Sequence, residues 1–329
     1  LSDSLDHLGP MTRSVEDAAL VLQVLAGFDP DDPCSVDLPV PDYLAAMSAV
    51  RIKGARLAIP RNDLFTNTDP EWIAATEAAI ALFRDLGAVV EEITLPDLDG
   101  LLSLGNLIVV TEAAAYHRQR FAERPEDFGP ELTQVIGRGE SYNAADYILA
   151  QQNRQAAKAA YLAAFEGFDA MVLPTTTLAA CPVAEDAYPL VRPRSRNTLP
   201  FNTLGWPGIS VPCGLAENGM PMGLQIVGQP FAEATVLALA NAYEDAIMNE
   251  RALELAYEGK RWFDLLRMGR RNNFARKDKL IEIIVSNVPS TQKRILAAKL
   301  TNPLGWYLPI FEDEIERNKN LVQNPYYDF

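Results

Sequence analysis

The chain has 329 residues, 48% hydrophobic and 22% charged, which excludes disorder, collagen and coiled coil. Lys+Arg number 29 against Asp+Glu 44, and the net charge of −15 opposes binding to nucleic acid. Three scattered cysteines (Cys34, Cys181, Cys213) and two histidines (His7, His117) give no C-x-x-C pair, no zinc-type cluster and no disulfide framework, so no metal or cofactor is expected.

The sequence opens on Leu1 rather than Met, so a piece of a longer chain is expected. Residues 1–10 lack the pattern of a signal peptide, and no apolar stretch approaches the roughly 18 residues of a membrane span. Residues 14–27 read as a helix with Ser14 as N-cap, an apolar stripe at Val15, Ala18, Ala19, Leu22 and Leu25, and Gly27 at its end. A Pro/Asp-rich loop follows over 28–42. Residues 56–60 form a short strand stopped by Pro60. Asp69 and Pro70 open a helix that runs to Gly87, and residues 88–95 form the next strand. Strand–helix–strand succession predicts an α/β layer. Long helices are expected over about 100–122, 128–138 and 143–166. Residues 169–177 make a buried strand ending in threonines, and 181–197 a Pro- and Arg-rich loop. Strands 208–214 and 222–228 flank the Asn218-Gly219 turn in hairpin-like spacing.

Residues 231–268 read as unbroken helix whose apolar face moves. At ~100° per residue, Val236, Leu239, Ala240, Tyr243 and Ile247 share one direction, whereas Ala252, Leu255, Ala256, Gly259, Trp262, Phe263 and Leu266 share another, rotated by roughly 130°. Composition changes at the same place. Residues 247–329 carry 14 Lys+Arg and 11 Asp+Glu, a net of +3, whereas residues 1–246 carry 15 and 33, a net of −18. Six of the eight lysines lie in the last 83 residues, and alanine falls from 39 to 5 across the junction. The two signals predict domains over 1–246 and 247–329.

The run SLDHLGPMTRSVED at 4–17 resembles the segment that follows the catalytic serine loop in amidase signature enzymes. FNTLGWPGISVPCG at 201–214 and GMPMGLQIVG at 219–228 resemble that family's closing strands. Glu112 to Tyr116, followed by RPEDFG at 124–129, is similar to the amidotransferase A-subunit branch. The resemblance implies an α/β/α sandwich, a cytoplasmic location and action on carbon–nitrogen amide bonds, with a small amide as substrate. It also implies a Lys–Ser–Ser arrangement in which a serine nucleophile lies within hydrogen-bond reach of its base. The family places those groups in motifs before the position matched by Leu1. Residues 1–246 hold only Lys53 and Lys158, neither beside a serine-rich glycine loop, and no G-x-S-x-G elbow. No catalytic residue is therefore assigned, and an inactive chain is expected.

Residues 247–329 resemble the SusD/RagB-like nutrient-uptake proteins, through NERALELAYEGKRWFDLLRMGR at 249–270 and the ending from Tyr307 to Pro325. That resemblance implies a helical, glycan-binding protein at the outer-membrane surface. Taken together, the two resemblances suggest a chimera of two genes.

Candidate substrate-binding residues are Thr175, Thr176, Asn202 and Trp206. Thr175, Thr176 and Thr177 end a buried strand, where α/β sheets place ligands, although such hydroxyls also cap backbone. The amidase resemblance puts Asn202 and Trp206 in the stretch lining the acyl pocket; core packing is the other reading of Trp206. Ser195 falls where glutamine-specific relatives carry an acidic residue. His7 and His117 read as loop or helix-edge residues, Trp262 and Phe263 as core, and Arg267, Arg270 and Arg271 as complements to a helix dipole. With part of the sandwich missing, strands 169–173 and 208–211 should show an uncovered edge or face, which favours aggregation through exposed sheet.

Overall fold

A computed structural model describes residues 1–32, 34–180, 195–254, 277–286, 290–302 and 306, without the side chains of 248–254 and a few later helical residues. Two compact units appear, Leu1–Asp245 and Ala246–Phe329.

In the first unit α1 (Val15–Leu25) begins where the sequence predicts. Ser14 is extended, and its hydroxyl accepts from Asp17 N at 3.1 Å, pairing an N–H that the helix leaves free. The unanticipated α2 (Tyr43–Ala49) starts in the same way at Asp42, whose Oδ1 accepts from Ala45 N at 3.0 Å. Strand β1 (Arg56–Ile59) stops at Pro60, and the single turn α3 (Arg61–Leu64) follows. Helix α4 (Pro70–Asp85) has Asp69 at the expected N-cap, but the Asp69 side chain makes no capping bond; Pro70 sets the first turn instead. Strand β2 (Val89–Glu92) is shorter than the sequence predicts, because Leu95 N is taken by Asp63 Oδ2 at 2.9 Å, off the ladder.

Helices α5 (Leu98–Glu123), α6 (Pro130–Glu140) and α7 (Ala144–Ala164) form a helical layer. Helix α7 opens on a capping box between Asn143 and Asp146. By length and composition α5 could cross a membrane, which corrects the expectation that no apolar stretch is long enough. Its apolarity has a local cause: Leu101, Gly105, Ile108, Val110, Ala113 and Ala114 are buried, and α6 and α7 pack on it.

Strand β3 (Ala170–Pro174) is followed by α8 (Leu199–Leu204), β4 (Gly208–Leu215), β5 (Pro221–Val227) and α9 (Glu233–Glu254). The sheet order is β2-β1-β3-β5-β4. Strand β1 runs parallel to β2 and β3, while β5 is antiparallel to both β3 and β4. This is the expected α/β class. Gly219, at φ +80°, supplies the left-handed residue of the hairpin turn. The β4–β5 register shifts between Pro212 and Gly214.

The expected exposure of strand 169–173 is corrected. β3 lies inside the sheet, paired on both sides, and Ala170 to Leu173 are all fully buried. Its uninterrupted apolar run is that of a strand covered on both faces. β4 is an edge strand, with Gly208, Ser210 and Pro212 exposed. α9 runs without a break through residue 251, as helix propensity there predicts. It starts two residues later than the sequence suggests, because Phe231 adopts φ +64° in the preceding turn. Val236, Leu239 and Tyr243 are buried, and the Tyr243 ring stacks 5.6 Å from Phe83 of α4.

In the second unit α10 (Lys277–Ser286) packs with α11 (Ser290–Thr301). Leu280, Leu300 and Trp306 are buried there, and Trp306 Nε1 donates to Leu300 O at 2.7 Å. Cys181, Leu255, Trp262, Phe263, Leu266, Arg267, Arg270 and Arg271 lie outside the described residues.

Candidate functional site

A shallow cleft of about 290 Å³ opens where β3 ends, lined among others by Trp72, Thr175, Thr176, Ser210, Met222 and Gly223. β3 delivers Thr175 to the rim: Thr175 N donates to Gly223 O at 2.9 Å, and its Oγ1 lies 2.7 Å from Ser210 Oγ on β4. Trp72 Nε1 donates to the same Gly223 carbonyl at 2.9 Å, which fixes the indole as one wall. Gly223 is required by close approach, since a Cβ there would lie 2.5 Å from Ser210 Oγ. Thr176 turns its hydroxyl to Leu178 O at 3.1 Å, a bond of the backbone-capping kind. An apolar wall beside two hydroxyls can seat and orient an amide. Nothing basic is bonded to either hydroxyl among the described residues.

A second polar cluster sits in the helical layer around Glu112, a residue that stands out in the sequence only as part of a longer motif. Ser2 Oγ and Ser4 N donate to Glu112 Oε2 at 2.5 and 3.0 Å, and Ser4 Oγ and Tyr147 OH donate to Oε1 at 2.6 and 2.7 Å. Burial alone would raise the Glu112 pKa; the bonds from Ser2, Ser4 and Tyr147 outweigh it and hold the carboxyl below its usual range. Burial, together with the bond to Glu112, pushes the Tyr147 phenol up. Arg154 is buried and donates from Nε to Thr203 O at 2.7 Å and from its terminal nitrogen to Ser4 O at 2.8 Å. A lone charge inside an apolar helical run was the available signal for Glu112, because such a charge needs partners.

Asn202 and Trp206 lie on and just after α8. Asn202 Nδ2 donates to Leu5 O at 3.0 Å. Trp206 is buried with its ring 5.0 Å from Phe165, and its Nε1 has no partner among the described residues. The four candidate residues thus fall in two places, Thr175 and Thr176 on the cleft, Asn202 and Trp206 under the helical layer. Asn197, fully buried, links the two: its Nδ2 donates to Pro174 O at 2.8 Å and to Leu64 O at 2.9 Å. Ser195 is half-buried, and its carbonyl accepts from Thr198 N at 3.1 Å. His7 is exposed with Nδ1 2.7 Å from Leu5 O, and His117 packs edge-on against Tyr116 and Phe128. Burial first, and then the nearby Arg154, lowers the Lys158 pKa.

A family model described as Amidase matches residues 1–237. The chain belongs to the amidase signature family. An amidase of Pseudomonas putida is 36% identical over 254 residues, 75% of this chain and 54% of that protein. The A-subunit of the glutamyl-tRNA(Gln) amidotransferase of Moorella thermoacetica is 37% identical over 270 residues, 74% of this chain and 55% of its own. Among solved structures, the corresponding amidotransferase A-subunit of Thermotoga maritima superposes with a TM-score of 0.62 at 27% identity, covering 74% of this chain and 53% of that one. A bacterial aryl acylamidase of the amidase signature family gives 0.61 at 25%, covering 72% and 52%. The chain therefore spans about half the length of the amidase relatives it matches. A second model, the SusD family, matches residues 223–327, so the C-terminal segment is SusD-like.

Proposed function

We propose that the first unit is the substrate-side part of a carbon–nitrogen amide hydrolase, and that this chain does not turn over amides by itself. The observation that carries the reading is the cleft at the carboxyl end of β3, in a segment whose relatives include an amidase. In this reading Thr175 and Thr176 meet the substrate amide, while Asn202, bonded to Leu5 O, and Trp206, packed on Phe165, act from outside the cleft lining. Inactivity is supported by the lysines. Lys158 lies near Arg154, Lys53 lies against Gly87, and neither is bonded to a serine among the described residues. The amidase reading puts the chain in the cytoplasm, and leaves the Lys–Ser–Ser groups to residues other than these. The test is ammonia release from propionamide, benzamide and glutamine. Release no faster than a blank is expected; release that scales with, and co-purifies with, the chain overturns the proposal.

The SusD family match favours a second reading, a glycan-binding module of the outer-membrane surface. Calorimetric titration with a maltooligosaccharide separates the two, since the amidase reading expects no heat of binding. The two units would then be domains of different origin, meeting near 246/247. Sequencing the locus across that junction tests whether two genes have been joined.

A further inference from the structure

We propose that Glu112 is a positioning residue whose carboxylate, with Arg154 and Asn202, grips residues 2–5 from both sides of the backbone. The functional consequence rests on the amidase reading, in which this segment leads out of the serine loop; the grip itself does not. Three donors of the segment converge on one carboxylate, while Ser2 N turns to Asp6 Oδ2 and Leu5 N to Ser2 O. Ser2 Oγ, Ser4 N and Ser4 Oγ take up both oxygens of Glu112, and Tyr147 OH and Gln151 Nε2 from α7 complete the set. The acceptors of the same segment are held by other groups: Ser4 O receives Arg154 and Leu5 O receives Asn202. Between them the Leu5 side chain is buried with Ile108 and Ala150.

The grip is local. Ser2 is buried and Leu5 is 1% exposed, but Leu8 is 93% exposed and Met11 fully so. A residue that only filled space would not need five donors on two oxygens. A carboxylate that accepts charge-assisted bonds fixes its partners' positions as well as their distance. Helices α5, α7 and α8 supply the gripping residues and pack on one another, so the anchor is rigid and the segment is what is being placed.

The test is hydrogen exchange of the full chain, comparing the amides of Ser4, Leu5 and Asp6 with those of β3. Glu112→Gln is nearly isosteric but replaces one acceptor with a donor and removes the charge. It should speed exchange at the three amides by about tenfold or more while leaving β3 unchanged, as expected when a charged acceptor is lost. Tyr147→Phe, which keeps the ring and removes one donor, should give a smaller change in the same place. Wild-type protection in Glu112→Gln would show that the side chain only packs, and equal loss across β3 would show a general stability role; either result overturns the proposal. If Glu112→Gln does not fold, Tyr147→Phe decides it by the same comparison. Because no turnover is read, failure here leaves the amidase reading standing, and the reverse holds too.

Discussion

Asn197 shows how one side chain can join elements distant in sequence. Its amide nitrogen serves the carbonyls of Leu64 and Pro174, and its own backbone carbonyl accepts Gln225 Nε2 at 2.7 Å. Asn197→Ala would leave two buried carbonyls unpaired, so a loss of about 2 kcal/mol or more in urea unfolding is expected. Glu112 carries a pH dependence of definite sign. Arg154, Tyr147 and Gln151 face it from α7 and Ser2 and Ser4 from the N-terminal segment, and its carboxyl lies below the ordinary 4.5. A depressed carboxyl stabilises fully above its unfolded pKa and loses that contribution as pH falls through the folded one. The stability difference between wild type and Glu112→Gln should therefore be constant near neutrality and shrink once the pH drops below the usual glutamate range. A gap that widens on acidification would contradict this. Burial pushes the Cys213 thiol up to about 11, whereas Cys34 is exposed. Alkylation at mildly alkaline pH, mapped by mass spectrometry, should label Cys34 well before Cys213, and denaturant should abolish the difference.

Among the elements, the contact of α5 with α6 depends on Gly139. A Cβ there would fall on the Val110 carbonyl and the Ala114 side chain, both fixed in α5. Gly139→Ala should therefore cost about 1–3 kcal/mol through overpacking, despite alanine's better helix propensity; a neutral or stabilising effect on the melt would argue against this contact. The long helices could be read from the sequence because stripe and cap are local: Ser14 before α1 and Asn143 with Asp146 before α7. The short helices escaped. α8 carries Pro200 in its first turn and Gly205 at φ +73° as its cap, a usable signal within only six residues. α3 has four residues and no side-chain cap, too little for any periodicity to show.

At the scale of the molecule, the two edges of the sheet differ. β2 is four residues long and exposes Glu91 and Glu92, charges that discourage pairing with another chain. β4 has eight residues, GISVPCGL, with no charge, and its ladder is interrupted by Pro212 and the register shift beside it. Self-association is expected through β4. Leu215→Lys, at an exposed position of β4, should reduce light scattering without lowering the melting temperature; unchanged scattering would locate association elsewhere.

The sequence by itself determined the α/β class, the long helices, the hairpin around Gly219 and the family, all carried by contiguous residues whose spacing or identity can be read in place. Only the tertiary structure decided the strand order β2-β1-β3-β5-β4, the burial of β3, and the groups that meet. Ser2 and Glu112 are 110 residues apart, and Thr175 and Ser210 are 35 apart. No local periodicity encodes such pairs, because they form only when packed helices and paired strands bring distant backbone together and each buried polar group must find a partner.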